Sequence, residues 1–317
     1  MGPRRARDDE VARWRAHGWV LLEGLVPTEE IDAAAEDLYR LFPRPEEYTK
    51  DPEGETRRRL GQPAPVDEFP WPAQGPGFRH DQHRWQGAFP FPGTGALNRL
   101  VVHPSIVDFA ARALDSTDLR LYQAQVSAKY HGITNYEQPM HTDRNHSWLP
   151  PVGRAPWWHL EGFLYLSDVE RSTAPTHLVS VRDSSHRDPT APLVMPEGDP
   201  ELYRAEQGAP GVRGSYLAYR PDVFHRAVDL TEPDGARFLL NASYKHAGQD
   251  WVGYHTMQSR STSPHWVRFV EASTPDELAL FGFPPPGHPI WSTELLEATQ
   301  RLYPRLDLAP WRRPLTA

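Results

Sequence analysis

Between Leu119 and Tyr130 the chain alternates, with Gln123, Gln125, Ser127 and Lys129 at odd positions and Tyr122, Ala124, Val126 and Ala128 at even ones. Successive side chains of a β-strand point to opposite faces, so a period of two held this long predicts a strand with one apolar and one polar face. A second run repeats the pattern: Arg237, Leu239, Asn241 and Ser243 share one parity, against Phe238, Leu240, Ala242 and Tyr244. An apolar face seeks a core. A polar face on two such strands fits the wall of a ligand cavity.

The residues able to do chemistry there follow the same spacing rule. His141 and Asp143 stand two apart and so share one side of an extended segment, and His225 from a distant strand completes a three-cornered face. Two imidazoles and one carboxylate on one side of an ion, with the opposite positions open, suit non-haem Fe(II) that also binds a co-substrate and O₂. A closed zinc site would use four protein ligands, often thiolates, and the chain has no cysteine. The motif alone is weak evidence: 15 histidines and 42 acidic residues in 317 give about two His-x-acid triplets by chance. Three occur. His186 and Asp188 lie in a turn-rich Asp183-Ser-Ser-His-Arg-Asp-Pro189 segment and are set aside. His159 and Glu161, heading the apolar run Leu160 to Leu166, compete with His141 and Asp143, which follow the polar-faced strand.

Arg237 stands twelve residues after His225, across Leu230-Thr-Glu-Pro-Asp-Gly235, whose Pro-Asp-Gly reads as a hairpin turn. On that reading His225 ends one strand and Arg237 opens its neighbour. A guanidinium there can form a bidentate pair with the far carboxylate of a bound diacid.

The order of an N-terminal helix, a Gly18 to Gly24 strand, the Gln138 to Asp143 segment, the Ser184 to His186 turn, and Asp222-Val-Phe-His225 with a later arginine resembles the phytanoyl-CoA dioxygenase family of Fe(II)/2-oxoglutarate-dependent oxygenases, over roughly Asp9 to Lys245. The resemblance implies a mainly β fold with flanking helices, a double-stranded β-helix or jelly-roll, cupin-like barrel. It implies that His141, Asp143 and His225 hold iron, that Arg237 anchors 2-oxoglutarate, and that Lys129 and Gln125 lie on a strand that adds a second contact to the co-substrate. Related oxygenases often carry a hydroxyl two residues beyond the arginine, where this chain has Leu239. The implied reaction hydroxylates an unactivated carbon of a small molecule, using O₂ and releasing succinate and CO₂. Asp143 argues against halogenation, because halogenating relatives replace this carboxylate with a small residue. Arg144, His146 and Trp148, which follow the iron motif, and Trp158, which precedes the next strand, are the candidate substrate contacts. Two other readings stay open: a cupin-like metal enzyme that does not use 2-oxoglutarate, and a non-catalytic 2-oxoglutarate-binding protein.

A formal charge of −8 gives no footprint for nucleic acid, and Arg57-Arg58-Arg59 reads as a solvated loop. No apolar run approaches the roughly 18 residues that span a bilayer, no signal peptide is read at the start, and the absence of cysteine fits a cytoplasmic protein. A monomer or homodimer is expected. One domain spanning 1–317 is the simplest organisation: 1–118 with helices and a lid-like loop, 119–245 with the iron-binding core, and 246–317 packing on the barrel. Helices are expected at Asp8 to His17, from a Thr28 cap through Leu41, from a Ser105–Asp108 capping box, and near Thr293 to Leu302. The Pro-, Gly- and aromatic-rich stretch from Gly61 to Gly95 has no period and reads as a cover over the barrel.

Overall fold

The computed structural model describes residues 4–60, 85–132, 137–143, 146, 157–189, 193–249, 252, 264–289, 291 and 293–312. Its strands are β1 (Trp19–Leu22), β2 (Gln86–Ala88), β3 (Leu119–Tyr130), β4 (His159–Tyr165), β5 (His177–Leu178), β6 (Gln207–Gly208), β7 (Tyr216–Tyr219), β8 (His225–Arg226) and β9 (Ala236–His246). Its helices are α1 (Asp8–His17), α2 (Thr28–Leu41), α3 (Pro45–Lys50), α4 (Pro52–Leu60), α5 (Ala96–Leu100), α6 (Pro104–Leu114), α7 (Pro200–Arg204), α8 (Pro264–Glu271), α9 (Pro275–Ala279), α10 (Thr293–Leu302) and α11 (Ala309–Arg312). The strands form two antiparallel sheets, β1-β7-β4-β9-β3-β2 and β6-β5-β8. Among the described residues helices hold more of the chain than strands do, so the fold is mixed, not mainly β.

The alternation predicted for β3 and β9 sets the large sheet. The two strands pair in register, Gln125 opposite Asn241, Ser127 opposite Leu239 and Lys129 opposite Arg237. Their apolar face, with Ala124, Val126, Phe238, Leu240 and Tyr244, is buried in the main core. α6 joins that core through Ile106, Phe109, Ala110, Ala113 and Leu114, a stripe at helical spacing. α2 adds Ile31, Ala34 and Leu38. Aromatic contacts draw the C-terminal helices in, with Phe269 of α8 lying 5.0 Å from Phe89 and 5.3 Å from Phe281 between ring centroids.

Several local expectations are corrected. Register shifts between Leu121 and Gln123, so Tyr122 sits in a bulge, and its hydroxyl donates to Glu161 on the polar side instead of joining the apolar face. Pro27, not Thr28, is the cap residue of α2. The cap of α6 is His103, whose ring accepts from the Ser105 backbone N–H at 3.3 Å. The arginine run Arg57 to Arg59 lies within α4, not in a loop, and Arg58 bonds Glu55 one turn away. β8 and β9 are not hairpin partners: β8 pairs with β5 in the small sheet, and the Pro-Asp-Gly turn carries the chain from one sheet to the other. Of the expected cover, 61–84 lies outside the described residues. Its end, 85–95, belongs to the core, where Trp85 packs against Phe42, Tyr48 and Tyr130. No helix among the described residues is long and apolar enough to cross a membrane.

Gly162 shows how closely β4 is packed. A Cβ placed there would lie 1.8 Å from the Tyr216 hydroxyl, which donates to the Ala242 carbonyl at 2.6 Å. Gly162→Ala must displace that ring and break its bond. It is expected to cost about 2–4 kcal/mol, read as a lower midpoint in urea with an unchanged slope.

Candidate metal centre

His141 and His225 are brought together by backbone pairing. The His141 N–H donates to the His225 carbonyl at 3.1 Å, and the His225 N–H returns the bond at 2.9 Å. Residues exchanging both bonds across an antiparallel pair stand directly opposite, with side chains on one face, and the two imidazole centroids lie 4.4 Å apart. On its other side β8 is held by β5, with Leu178 opposite His225. The segment carrying His141 is anchored by isolated bridges to β8 and Val194, so it is not a continuous strand.

Both rings are oriented alike. His141 Nδ1 lies 2.9 Å from the Pro139 carbonyl and His225 Nδ1 lies 3.0 Å from the Val223 carbonyl, each two residues back. A carbonyl only accepts, so Nδ1 carries the proton and Nε2 keeps the lone pair. Asp143 completes the face, its Oδ2 lying 3.6 Å from His225 Nε2 and accepting from the Tyr219 hydroxyl of β7 at 2.7 Å. One candidate ligand atom from each of His141, Asp143 and His225 lies within 4.8 Å of the others. Burial pushes the His141 pKa down to about 4, with His225 adding to it. Burial would raise that of Asp143, but His225, His146, His141 and the Tyr219 bond together hold it below the usual carboxylate range. A neutral imidazole and an ionised carboxylate are the states a metal requires. Tautomer, charge and spacing all fit a divalent ion of the kind that takes nitrogen and oxygen ligands.

The competing pair from the sequence is separated. Glu161 groups with Asp143 and His146, the other cluster with metal-ligand spacing among the described residues. Its carboxylate is already engaged, accepting from the Tyr122 hydroxyl, from His146 Nδ1 at 2.9 Å and from the Ser243 hydroxyl at 2.8 Å. Burial opposes a proton on His146, yet Glu161 and Asp143 outweigh it and raise its pKa to about 9. A protonated imidazole has no lone pair to give, so this cluster is an ion pair beside the metal face. His159 belongs to neither group. His186 bonds Asp199 at 3.0 Å in a turn and joins neither cluster.

Lys129 and Arg237 are both buried and face each other across β3 and β9. Lys129 Nζ donates to the Val228 carbonyl and Arg237 donates to that of Ala174. Burial holds the Lys129 pKa well below its ordinary value, and Arg237 lowers it further against opposition from Asp229 and Glu137. Gln125 is half-buried opposite Asn241. Arg144 and Trp148 lie outside the described residues. His146 is at the site, and half-buried Trp158 accepts through its carbonyl from the His246 N–H at 2.9 Å. Trp157 packs against Trp14 at 5.3 Å, with Arg15 and Arg220 over its ring. Tyr219, Tyr122 and Ser243 also belong to the site; the sequence places Tyr122 on an apolar strand face and gives no signal for Tyr219.

His159 gives the metal-free chain a pH dependence. Its pKa is pushed down to about 4 from 6.5, chiefly by burial, with His146 and Lys245 adding and Glu161 and Asp143 opposing. Between these values the unfolded chain binds the proton and the folded chain does not, so stability falls as pH drops. The expected result is a thermal midpoint that declines from about pH 6.5 to 4, with a shallower decline in His159→Leu.

No protein-family model matches the chain, and no curated protein does. Solved structures share its fold. The non-haem α-ketoglutarate-dependent epimerase SnoN from nogalamycin biosynthesis is 18% identical with a TM-score of 0.53, over 76% of this chain and 83% of that one. The α-ketoglutarate-dependent carbocyclase SnoK from the same biosynthesis is 17% identical with a TM-score of 0.53, over 82% and 93%. EctD from S. alaskensis, solved as the apoform, is 13% identical with a TM-score of 0.52, over 81% and 84%.

Proposed function

We propose that the chain is an Fe(II)/2-oxoglutarate-dependent oxygenase of the phytanoyl-CoA dioxygenase family, hydroxylating a carbon of a small-molecule substrate. The observation that carries this reading is the convergence of His141, Asp143 and His225, each histidine presenting Nε2. In this reading the two sheets are the walls of a double-stranded β-helix within one domain, with 1–118 before the 119–245 core and 246–317 packed on it.

His141, Asp143 and His225 hold the iron from one side, and Tyr219 fixes the carboxylate that two imidazoles alone would leave free to turn. When bound, the ferrous ion supplies O₂ activation coupled to decarboxylation of 2-oxoglutarate to succinate and CO₂. Arg237 and Lys129, buried opposite each other on the polar face, are placed to take the far carboxylate of the diacid. Gln125 lies on the same polar face, two rows from Lys129, where it orients the co-substrate. Leu239 supplies no hydroxyl, and Lys129 takes over that contact. Arg144, His146, Trp148 and Trp158 remain the proposed substrate contacts. A cupin-like enzyme without 2-oxoglutarate would have no use for the Lys129–Arg237 pair, which favours the oxygenase.

Anaerobic titration with Fe(II) and 2-oxoglutarate, followed by O₂, tests the reading. A visible metal-to-ligand charge-transfer band and succinate release are expected. Iron binding without that band would sink it in favour of the cupin-like enzyme, and a band without succinate across a broad substrate panel in favour of a binding protein.

A further inference from the structure

The polar face of the large sheet continues past the metal ligands, away from Arg237, and it carries hydrogen-bonding groups that nothing among the described residues meets. His159 is 1% exposed, and neither ring nitrogen has a hydrogen-bond partner among the described residues. Gln123 is 5% exposed, and its amide oxygen has none. The two residues belong to one wall. His159 lies two residues before Glu161 on β4, hence on the same face, while Gln123 stands opposite Ser243, whose hydroxyl reaches Glu161. The Tyr122 ring meets that of His159 edge-on at 5.7 Å. Each buried polar atom left unmet costs about 1–3 kcal/mol, so three on one face, beside a metal centre, are groups that a bound partner would satisfy.

Resting on the oxygenase reading above, we infer that His159 and Gln123 form the recognition wall for a neutral, hydroxyl-rich part of the substrate, such as a sugar or polyol. Neutral imidazole offers one donor and one acceptor, and the amide oxygen offers an acceptor. A hydroxyl, which both donates and accepts, complements all three atoms. The surrounding charge excludes the alternatives. The carboxylates of Asp143 and Glu161 repel an anion from this end of the face, in contrast to the Lys129–Arg237 end, six residues or roughly 20 Å away along the strands. A cation meets His146, already paired with Glu161, and Lys245, which stands opposite His159 and donates to the Gln249 and Val252 carbonyls.

The test uses the full chain loaded anaerobically with Fe(II) and 2-oxoglutarate. It is titrated with methyl β-glucoside, inositol and glycerol, and in parallel with methyl glucuronide, glucosamine and octanol, while the charge-transfer band is followed. A neutral hydroxylated probe is expected to perturb the band, the charged and apolar probes binding about tenfold more weakly or not at all. His159→Leu and Gln123→Leu should each form the band yet weaken the neutral probe about tenfold. Because each substitution removes an unmet polar atom, the metal-free midpoint should not fall in either variant. The inference is overturned if no neutral hydroxylated probe perturbs the band, if octanol or a charged probe binds as well, if both variants bind like wild type, or if both lose stability. Failure of the band to form at all would refute the oxygenase reading instead. The wall would then stand or fall on whether a neutral probe raises the midpoint of the wild type and not of His159→Leu.

Discussion

Asp143→Ala is expected to lower iron-dependent succinate formation on the order of 10³-fold or more, with circular dichroism unchanged. The size follows from what the carboxylate does. It is the one anionic ligand of the three, and without it a divalent ion is held only by two neutral imidazoles anchored to backbone carbonyls. Tyr219→Phe should have a milder effect, about 10- to 100-fold in metal affinity, since it leaves the ligand and removes only the bond at 2.7 Å that orients it. Equilibrium dialysis with Fe(II) or Mn(II) separates the two. Glu161→Ala is the control, because Glu161 faces the same region but spends its oxygens on Tyr122, His146 and Ser243. Should Glu161→Ala release the metal while Asp143→Ala retains it, the metal face has been assigned to the wrong cluster.

That contrast also shows what a sequence can and cannot tell. A spacing of two says that His141 and Asp143 share a face, and says the same of His159 and Glu161. It does not say what stands opposite. The choice between the pairs was made by β8, which sets His225 against His141, and by β7, which sets Tyr219 against Asp143. Neither contact leaves a local signal, because β8 is two residues long and Tyr219 sits in an apolar run. The long strands β3 and β9 were legible because their alternation persists from Tyr122 to Lys129 and from Arg237 to Tyr244. The bulge at Tyr122 was not, since one extra residue changes the face of a side chain without changing composition. Likewise the Pro-Asp-Gly turn was visible, but whether it joins partners in one sheet or passes between two depends on β5, some 50 residues upstream of it in the chain.

Arg237→Met should raise the 2-oxoglutarate dissociation constant roughly 30- to 150-fold, the loss of about 2–3 kcal/mol for a charge-assisted bond in a buried site. Iron affinity measured without 2-oxoglutarate should stay near wild type. The revealing quantity is the stability of the metal-free chain. In wild type Lys129 and Arg237 face each other inside the protein, and burial and repulsion together depress the lysine. Removing one of two opposed like charges relieves that repulsion, against the loss of the bonds Arg237 makes, that to Ala174 among them, so the midpoint should hold or rise. In wild type, saturating 2-oxoglutarate should raise the midpoint of the iron-loaded protein, and in Arg237→Met this gain should shrink as affinity falls. Lys129→Met gives the companion measurement, and the double variant the coupling between the two cations. A shared anion predicts that the second substitution costs less than the first. An Arg237→Met variant that loses stability yet binds 2-oxoglutarate within about twofold of wild type would make the pair a structural feature of the sheet and leave the diacid without an anchor.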